Sequence, residues 1–209
     1  MKGVVMKKPV LGAAFVAAMV LQVPAQADII YTATLSGAIE ATPNNSAGTG
    51  TALVTVKDVP SELRVQVSFE NLIGGTTAAH IHCCTEIPFD VTDTAIVATT
   101  TPTFTGFPSD VTEGDYDRIF ELLPFTATNT YNSAFVAQHG GTVEGARNAL
   151  LAGLEVGTAY LNIHSTEFPA GEIRGFLSRV PTQIPEPSSM AMLAASIIGL
   201  GVLARRRKS

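Results

Sequence analysis

The sequence predicts an all-β domain, an antiparallel Greek-key-like β-sandwich or barrel with one or two short helices, flanked by a signal peptide and a C-terminal transmembrane helix. Three observations carry this expectation. Several short segments alternate apolar and polar residues with a period of two, most clearly 63–69, where Leu63, Val65, Val67 and Phe69 alternate with Arg64, Gln66 and Ser68. Clusters of Gly, Pro, Asn and Asp punctuate those segments at the spacing of turns between strands. Only one stretch, 143–153, shows convincing helical spacing of its apolar residues.

Taken in order, residues 29–35 open the domain as a strand rich in β-branched and aromatic residues. After the loop at 44–48 a second strand covers 49–56, with Ala52, Val54 and Val56 on one side and Leu53 among threonines on the other. Asp58, Val59, Pro60 and Ser61 form a turn into the 63–69 strand, which makes an antiparallel meander. Gly74 and Gly75 precede a strand at 78–82, and 95–99 reads as another. Pro102, Gly106 and Pro108 make 100–112 a long surface loop, after which 116–122 returns to the sheet. A helical turn is expected at 133–136. The helix at 143–153 has Thr142 as its N-cap and Gly153 at its end, and it should close one end of the sandwich.

Residues 158–177 read as a hairpin at the sheet edge: Ala159, Leu161 and Ile163 alternate with Tyr160, Asn162 and His164, and Pro169, Ala170 and Gly171 reverse the chain before Ile173. This segment resembles the C-terminal signature of the CHRD (chordin-type) domain, an Asn-apolar-His strand followed by Pro-x-Gly-Glu-Ile-Arg-Gly. Asn162, Ile163, His164, Pro169, Gly171, Glu172, Ile173, Arg174 and Gly175 match it. Ala79, His80, Ile81 and His82 match the family's Ala-His-apolar-His strand. The resemblance covers about 29–177 and implies a domain type, without a particular chemistry.

The two ends carry addresses. Lys2, Lys7 and Lys8, an apolar run over 9–23 and Ala25-Gln26-Ala27 form a signal peptide, 1–27, with cleavage by signal peptidase expected after Ala27. The β domain then occupies 28–180 and a linker 181–187. In the linker, Pro185-Glu186-Pro187 precedes the tail, 188–209, an apolar run ending at Ala204 and followed by Arg205, Arg206, Arg207 and Lys208. This tripartite tail resembles the PEP-CTERM sorting signal of Gram-negative bacteria. The resemblance implies a transient inner-membrane anchor, cutting by an exosortase-type protease, and a destination at the cell surface or outside the cell. A plain tail anchor is the alternative.

Without its ends, residues 28–184 carry six basic and seventeen acidic residues, a balance near −11. That field excludes a nucleic-acid reader and suits an exported module with matrix components or exopolysaccharide as partners. The chemistry on offer lies in histidines. His80 and His82 share one strand face, and His164 lies on the polar face of its own strand, so the three could hold copper or zinc. The arrangement resembles the copper site of copper–zinc superoxide dismutase. The competing reading has these imidazoles bonding Glu172 or Asn162 and bracing the sandwich. His139 is not included among the ligands. Cys83 and Cys84 are adjacent, and Cα atoms about 3.8 Å apart fall short of the usual disulfide range. A vicinal bridge, two thiols and metal ligation therefore all stand open. Glu172 and Arg174 share a face and are expected to form a rim ion pair.

No nucleophile elbow, phosphate loop, zinc-protease helix or dinucleotide fingerprint occurs in the sequence. Asp115, Asp117 and Glu121 have the spacing of an exposed strand. The expected function is thus an exported, non-catalytic surface or matrix module able to bind a cation. The second reading is a copper- or zinc-dependent redox protein.

Overall fold

The computed structural model describes residues 28–86, 90, 92–125 and 129–181. The signal-peptide segment, the Pro185-Glu186-Pro187 motif and the apolar tail with Arg205, Arg206 and Arg207 lie outside the described residues. Among the described residues, no helix is long and apolar enough to cross a membrane.

The chain forms β1 (Ile29–Ser36), a single 3-10 turn (Gly37–Ile39), β2 (Thr49–Lys57), β3 (Glu62–Glu70), β4 (Thr76–His82) and β5 (Gly114–Glu121). Two helices, α1 (Ser133–Gln138) and α2 (Val143–Val156), precede β6 (Tyr160–Ser165), β7 (Ile173–Phe176) and β8 (Ser178–Arg179). All eight strands belong to one antiparallel sheet in the order β4-β6-β7-β1-β2-β3-β5, with β8 also on β1. The sheet curls into a half-barrel. Period-two patterning explains its core: Leu63, Val65, Val67 and Phe69 of β3 are buried, as are Ala52, Val54 and Val56 of β2 beside them. β1, β2 and β3 form the expected meander, paired without interruption from Ile29↔Val56 to Ser36↔Thr49 and from Thr49↔Glu70 to Lys57↔Glu62.

The hairpin of β6 and β7 differs from expectation in position. It lies inside the sheet, because β4 pairs with β6 and supplies the edge. β6 is therefore hydrogen-bonded along both edges, and Tyr160, Leu161, Asn162 and Ile163 on its two faces are all buried.

Segment 100–112 is irregular, as its prolines dictate, and most of it is exposed as a surface loop should be, but two buried rings anchor it to the core. It spans the gap between the edge strands β4 and β5. Phe104 donates its backbone N–H to the Ala79 carbonyl at 3.0 Å, and Asp110 donates to Thr76 at 2.8 Å. Fully buried Phe104 packs against Tyr116 and Phe120, while Phe107 stacks on Phe69 at 5.6 Å. Two phenylalanines three residues apart, amid prolines, were the sequence signal for this plug. The expected strand at 95–99 is reduced to two isolated bridges, His82↔Val97 and Thr99↔Tyr131.

Thr142 caps α2, its hydroxyl accepting the Gly145 N–H at 3.0 Å. The helix continues through Gly153 to Val156, and Gly157, at φ +75°, closes it. Gly153 serves packing instead. A Cβ there would collide with the Cys83 and Cys84 sulfurs, so the glycine lets the helix approach that pair. Ala146, Leu150 and Leu154 bury the inner face, while Arg147 binds Asp58 and Glu155 binds Arg179 across the end of the sheet.

Phe104→Ala is expected to destabilise the domain by about 3–5 kcal/mol, because it removes a fully buried ring that joins both sheet edges. Val59→Ala, at an exposed turn position, should stay within about 0.5 kcal/mol. Urea midpoints at constant slope measure both.

Candidate metal centre

The β4–β6 register sets His80 opposite Asn162, Ala78 opposite His164 and His82 opposite Tyr160. With a period of two, Ala79 and Ile81 point into the core, and the imidazoles point to the other face. There the three rings meet, with centroids 5.3 Å apart for His80 and His164, 5.8 Å for His80 and His82, and 6.2 Å for His82 and His164.

Each imidazole is oriented by a backbone carbonyl, two from the β4–β5 connection and one from the β6–β7 turn. His80 Nε2 donates to Pro102 at 2.6 Å, His82 Nδ1 to Ala95 at 2.8 Å, and His164 Nδ1 to Pro169 at 3.0 Å. A carbonyl oxygen only accepts, so the nitrogen facing it carries the proton. In the neutral ring the other nitrogen then holds a lone pair. Those nitrogens, His80 Nδ1, His82 Nε2 and His164 Nε2, are buried and have no hydrogen-bond partner. Ligand atoms of the three residues all lie within 4.8 Å of one another. Unpartnered nitrogens on three rings this close together are the donor set a metal ion would complete, and the carbonyls would then be the outer partners that fix ring and tautomer.

Electrostatics keep the rings neutral. Burial lowers His80 and His82 from 6.5 to about 4; His164 repels a charge on His80, and His80, His164 and Arg174 repel one on His82. Burial also lowers His164. The carbonyl bonds pull upward, but less strongly. Glu172 and Asn162, the anticipated partners, bond none of the three rings. Both side chains are engaged elsewhere.

Beneath the histidines lies a polar layer. Tyr160 stacks on His82, with centroids 4.8 Å apart and planes 8° apart, and the Arg174 guanidinium sits 4.9 Å from the Tyr160 centroid. Arg174 donates to the Ile39 and Asp93 carbonyls and lies 3.9 Å from Glu40. It does not pair with Glu172. The Glu172 carboxylate accepts from the Ser46 hydroxyl at 2.6 Å and from the Ile73 and Gly74 N–H groups, tying two loops to β7. Both side chains are buried, so the expected rim ion pair is replaced by two separate internal networks. Asn162 donates to Glu40 at 2.5 Å. Gly171 adopts φ +139°, and a Cβ there would lie 2.6 Å from the Asn162 amide and 2.8 Å from each Glu40 oxygen. The Pro-x-Gly-Glu-Ile-Arg-Gly motif therefore packs this layer.

Cys83 and Cys84 are joined as a vicinal disulfide, their Cα atoms 3.0 Å apart, and lie outside the histidine group. His139 packs on Phe135 at the end of α1, likewise outside it. Glu40 and the carbonyls of Ala95, Pro102 and Pro169 were missed in sequence. Tyr160 was visible as a polar-face neighbour of Asn162, whereas nothing local distinguishes Glu40.

The CHRD domain model matches residues 31–177, and the PEP-CTERM protein-sorting motif matches residues 183–208. The chain belongs to the CHRD-domain family. Its tail is a sorting signal of the kind that directs exported proteins of Gram-negative bacteria through the membrane to exosortase-type machinery. No curated protein and no solved structure matches the chain.

Acid should weaken the metal-free fold. A histidine lowered to about 4 binds its proton more readily when unfolded, so stability is lost as pH falls from 6.5 through about 4. Burial pushes Glu40 the other way, from 4.5 to about 7, so its contribution is full below 4.5 and lost as pH rises through 7. Each group is worth about 3 kcal/mol across its window. Denaturant titrations at the two ends of that range should show a steeper acid loss in Glu40→Gln and a shallower one in His80→Gln.

Proposed function

We propose that this protein is an exported, non-catalytic module of the cell surface or extracellular matrix whose CHRD domain holds one copper or zinc ion between His80, His82 and His164. The convergence of three buried, unpartnered imidazole nitrogens carries this reading. Those nitrogens have no exposed surface, which suits holding a metal better than presenting it to a substrate. The alternative, a copper- or zinc-dependent redox protein, would use the same histidines but requires turnover at the ion.

Export begins with a signal peptide removed by signal peptidase. The tail then holds the protein in the inner membrane until an exosortase-type protease cuts near Pro185-Glu186-Pro187. The acidic domain meets exopolysaccharide or other matrix components, and no nucleic acid.

Plasma mass spectrometry of the exported protein should find about one copper or zinc per chain, lost in the His80→Ala, His82→Ala double mutant. Native protein without metal would overturn the reading. Intact mass of the same fraction should show a form without residues 188–209. Finding only the full-length, membrane-bound chain would reject the processing step.

A further inference from the structure

The same site carries information about which cation it takes. Three neutral imidazoles supply no negative charge, and among the described residues no carboxylate or thiolate joins them. The carboxylate of Glu40, in the supporting layer, is already committed to Asn162 and Arg174. Arg174 instead adds a fixed positive charge, stacked on the Tyr160 ring that in turn stacks on His82. Burying an ion costs free energy that rises with the square of its charge, so a dication is penalised about fourfold over a monocation of equal size.

Coordination number points the same way. Zinc takes four ligands in structural sites, and in catalytic sites three protein ligands and a water in an open fourth position. Here the free nitrogens are shut off from solvent. Three nitrogens about 2.0 Å from a central ion lie about 3.5 Å apart, so ring shifts of roughly 1 Å from the observed spread complete a three-coordinate centre. A monovalent d10 cation accepts such a trigonal, all-nitrogen set without a fourth ligand.

Resting on the metal-binding reading above, we propose that the histidine centre is a Cu(I) site, three-coordinate and selective against Zn(II) and Cu(II). Binding alone is meant, with no electron transferred to or from the protein. The backbone carbonyls of Ala95, Pro102 and Pro169 hold the rings in the tautomers that present Nδ1 of His80 and Nε2 of His82 and His164. Each carbonyl comes from a loop fixed by the fold, so the set is preorganised before metal arrives.

The exported protein, stripped of metal, is titrated anaerobically with Cu(I) held by bicinchoninate. Zn(II) is titrated in parallel against a chromophoric zinc chelator. One Cu(I) per chain is expected, bound roughly a thousandfold more tightly than Zn(II). X-ray absorption should show three nitrogen ligands at about 2 Å and no fourth. His164→Gln should lose Cu(I) while circular dichroism and the urea midpoint show it folded; if it unfolds, the absorption spectrum of the unmutated protein decides the ligand set alone. Equal or tighter zinc binding, or a fourth oxygen ligand, would overturn the Cu(I) assignment and leave the metal site standing. Binding of none of these ions would overturn both.

Discussion

The structure depends on burying the Arg174 guanidinium. An arginine excluded from water must have its donors satisfied, or it costs several kcal/mol. Its partners are drawn from parts of the chain far apart in sequence: the Ile39 carbonyl after β1, the Asp93 carbonyl after β4, and the Tyr160 ring on β6. Satisfying one side chain therefore fixes three segments at once. The 93–95 segment, so placed, donates its Ala95 N–H to the Tyr160 hydroxyl and offers its Ala95 carbonyl to His82. The orientation of His82 is thus tied to arginine burial.

The glycines and acids of the motif around Arg174 follow from the same constraint. Gly171 leaves room for Glu40 and Asn162 to meet, and Glu172 anchors the loops at 44–46 and 73–74 so that the covering segments cannot drift. The Cys83–Cys84 bridge packs at the exit of β4 against α2, where Gly153 leaves space. What reads in sequence as a recognition signature is the packing of a polar layer, and the histidine face is what that layer supports.

Much of this was legible from patterning. Alternation in β3 gives its buried face residue by residue, and the His80, Ile81, His82 spacing puts two imidazoles on one side of a strand. Thr142 revealed the start of α2. The helix end at Gly153 was misread because a glycine can serve close packing as well as termination, and spacing alone does not distinguish the two. The surface loop at 100–112 was legible from its prolines and glycine, but its inward anchors were not, because those residues report irregular backbone and not which side chains turn inward. Phe104 and Phe107 carried the missing information. The Glu172–Arg174 pairing failed for a related reason: a shared strand face brings residues near in two dimensions, whereas burial sends each to partners from loops that periodicity cannot place. Glu40 gave no local signal at all.

Metal binding here requires that three specific lone pairs, on His80 Nδ1, His82 Nε2 and His164 Nε2, act together as ligands. Long-range ¹H–¹⁵N NMR of the histidine side chains, in the metal-free exported protein and after one equivalent of Cu(I), tests it most directly. The account predicts neutral rings with the proton on Nε2 of His80 and on Nδ1 of His82 and His164, and a metal-induced shift confined to the opposite nitrogen of each. Rings in the reverse tautomers, or no shift at those three nitrogens on adding metal, would contradict it.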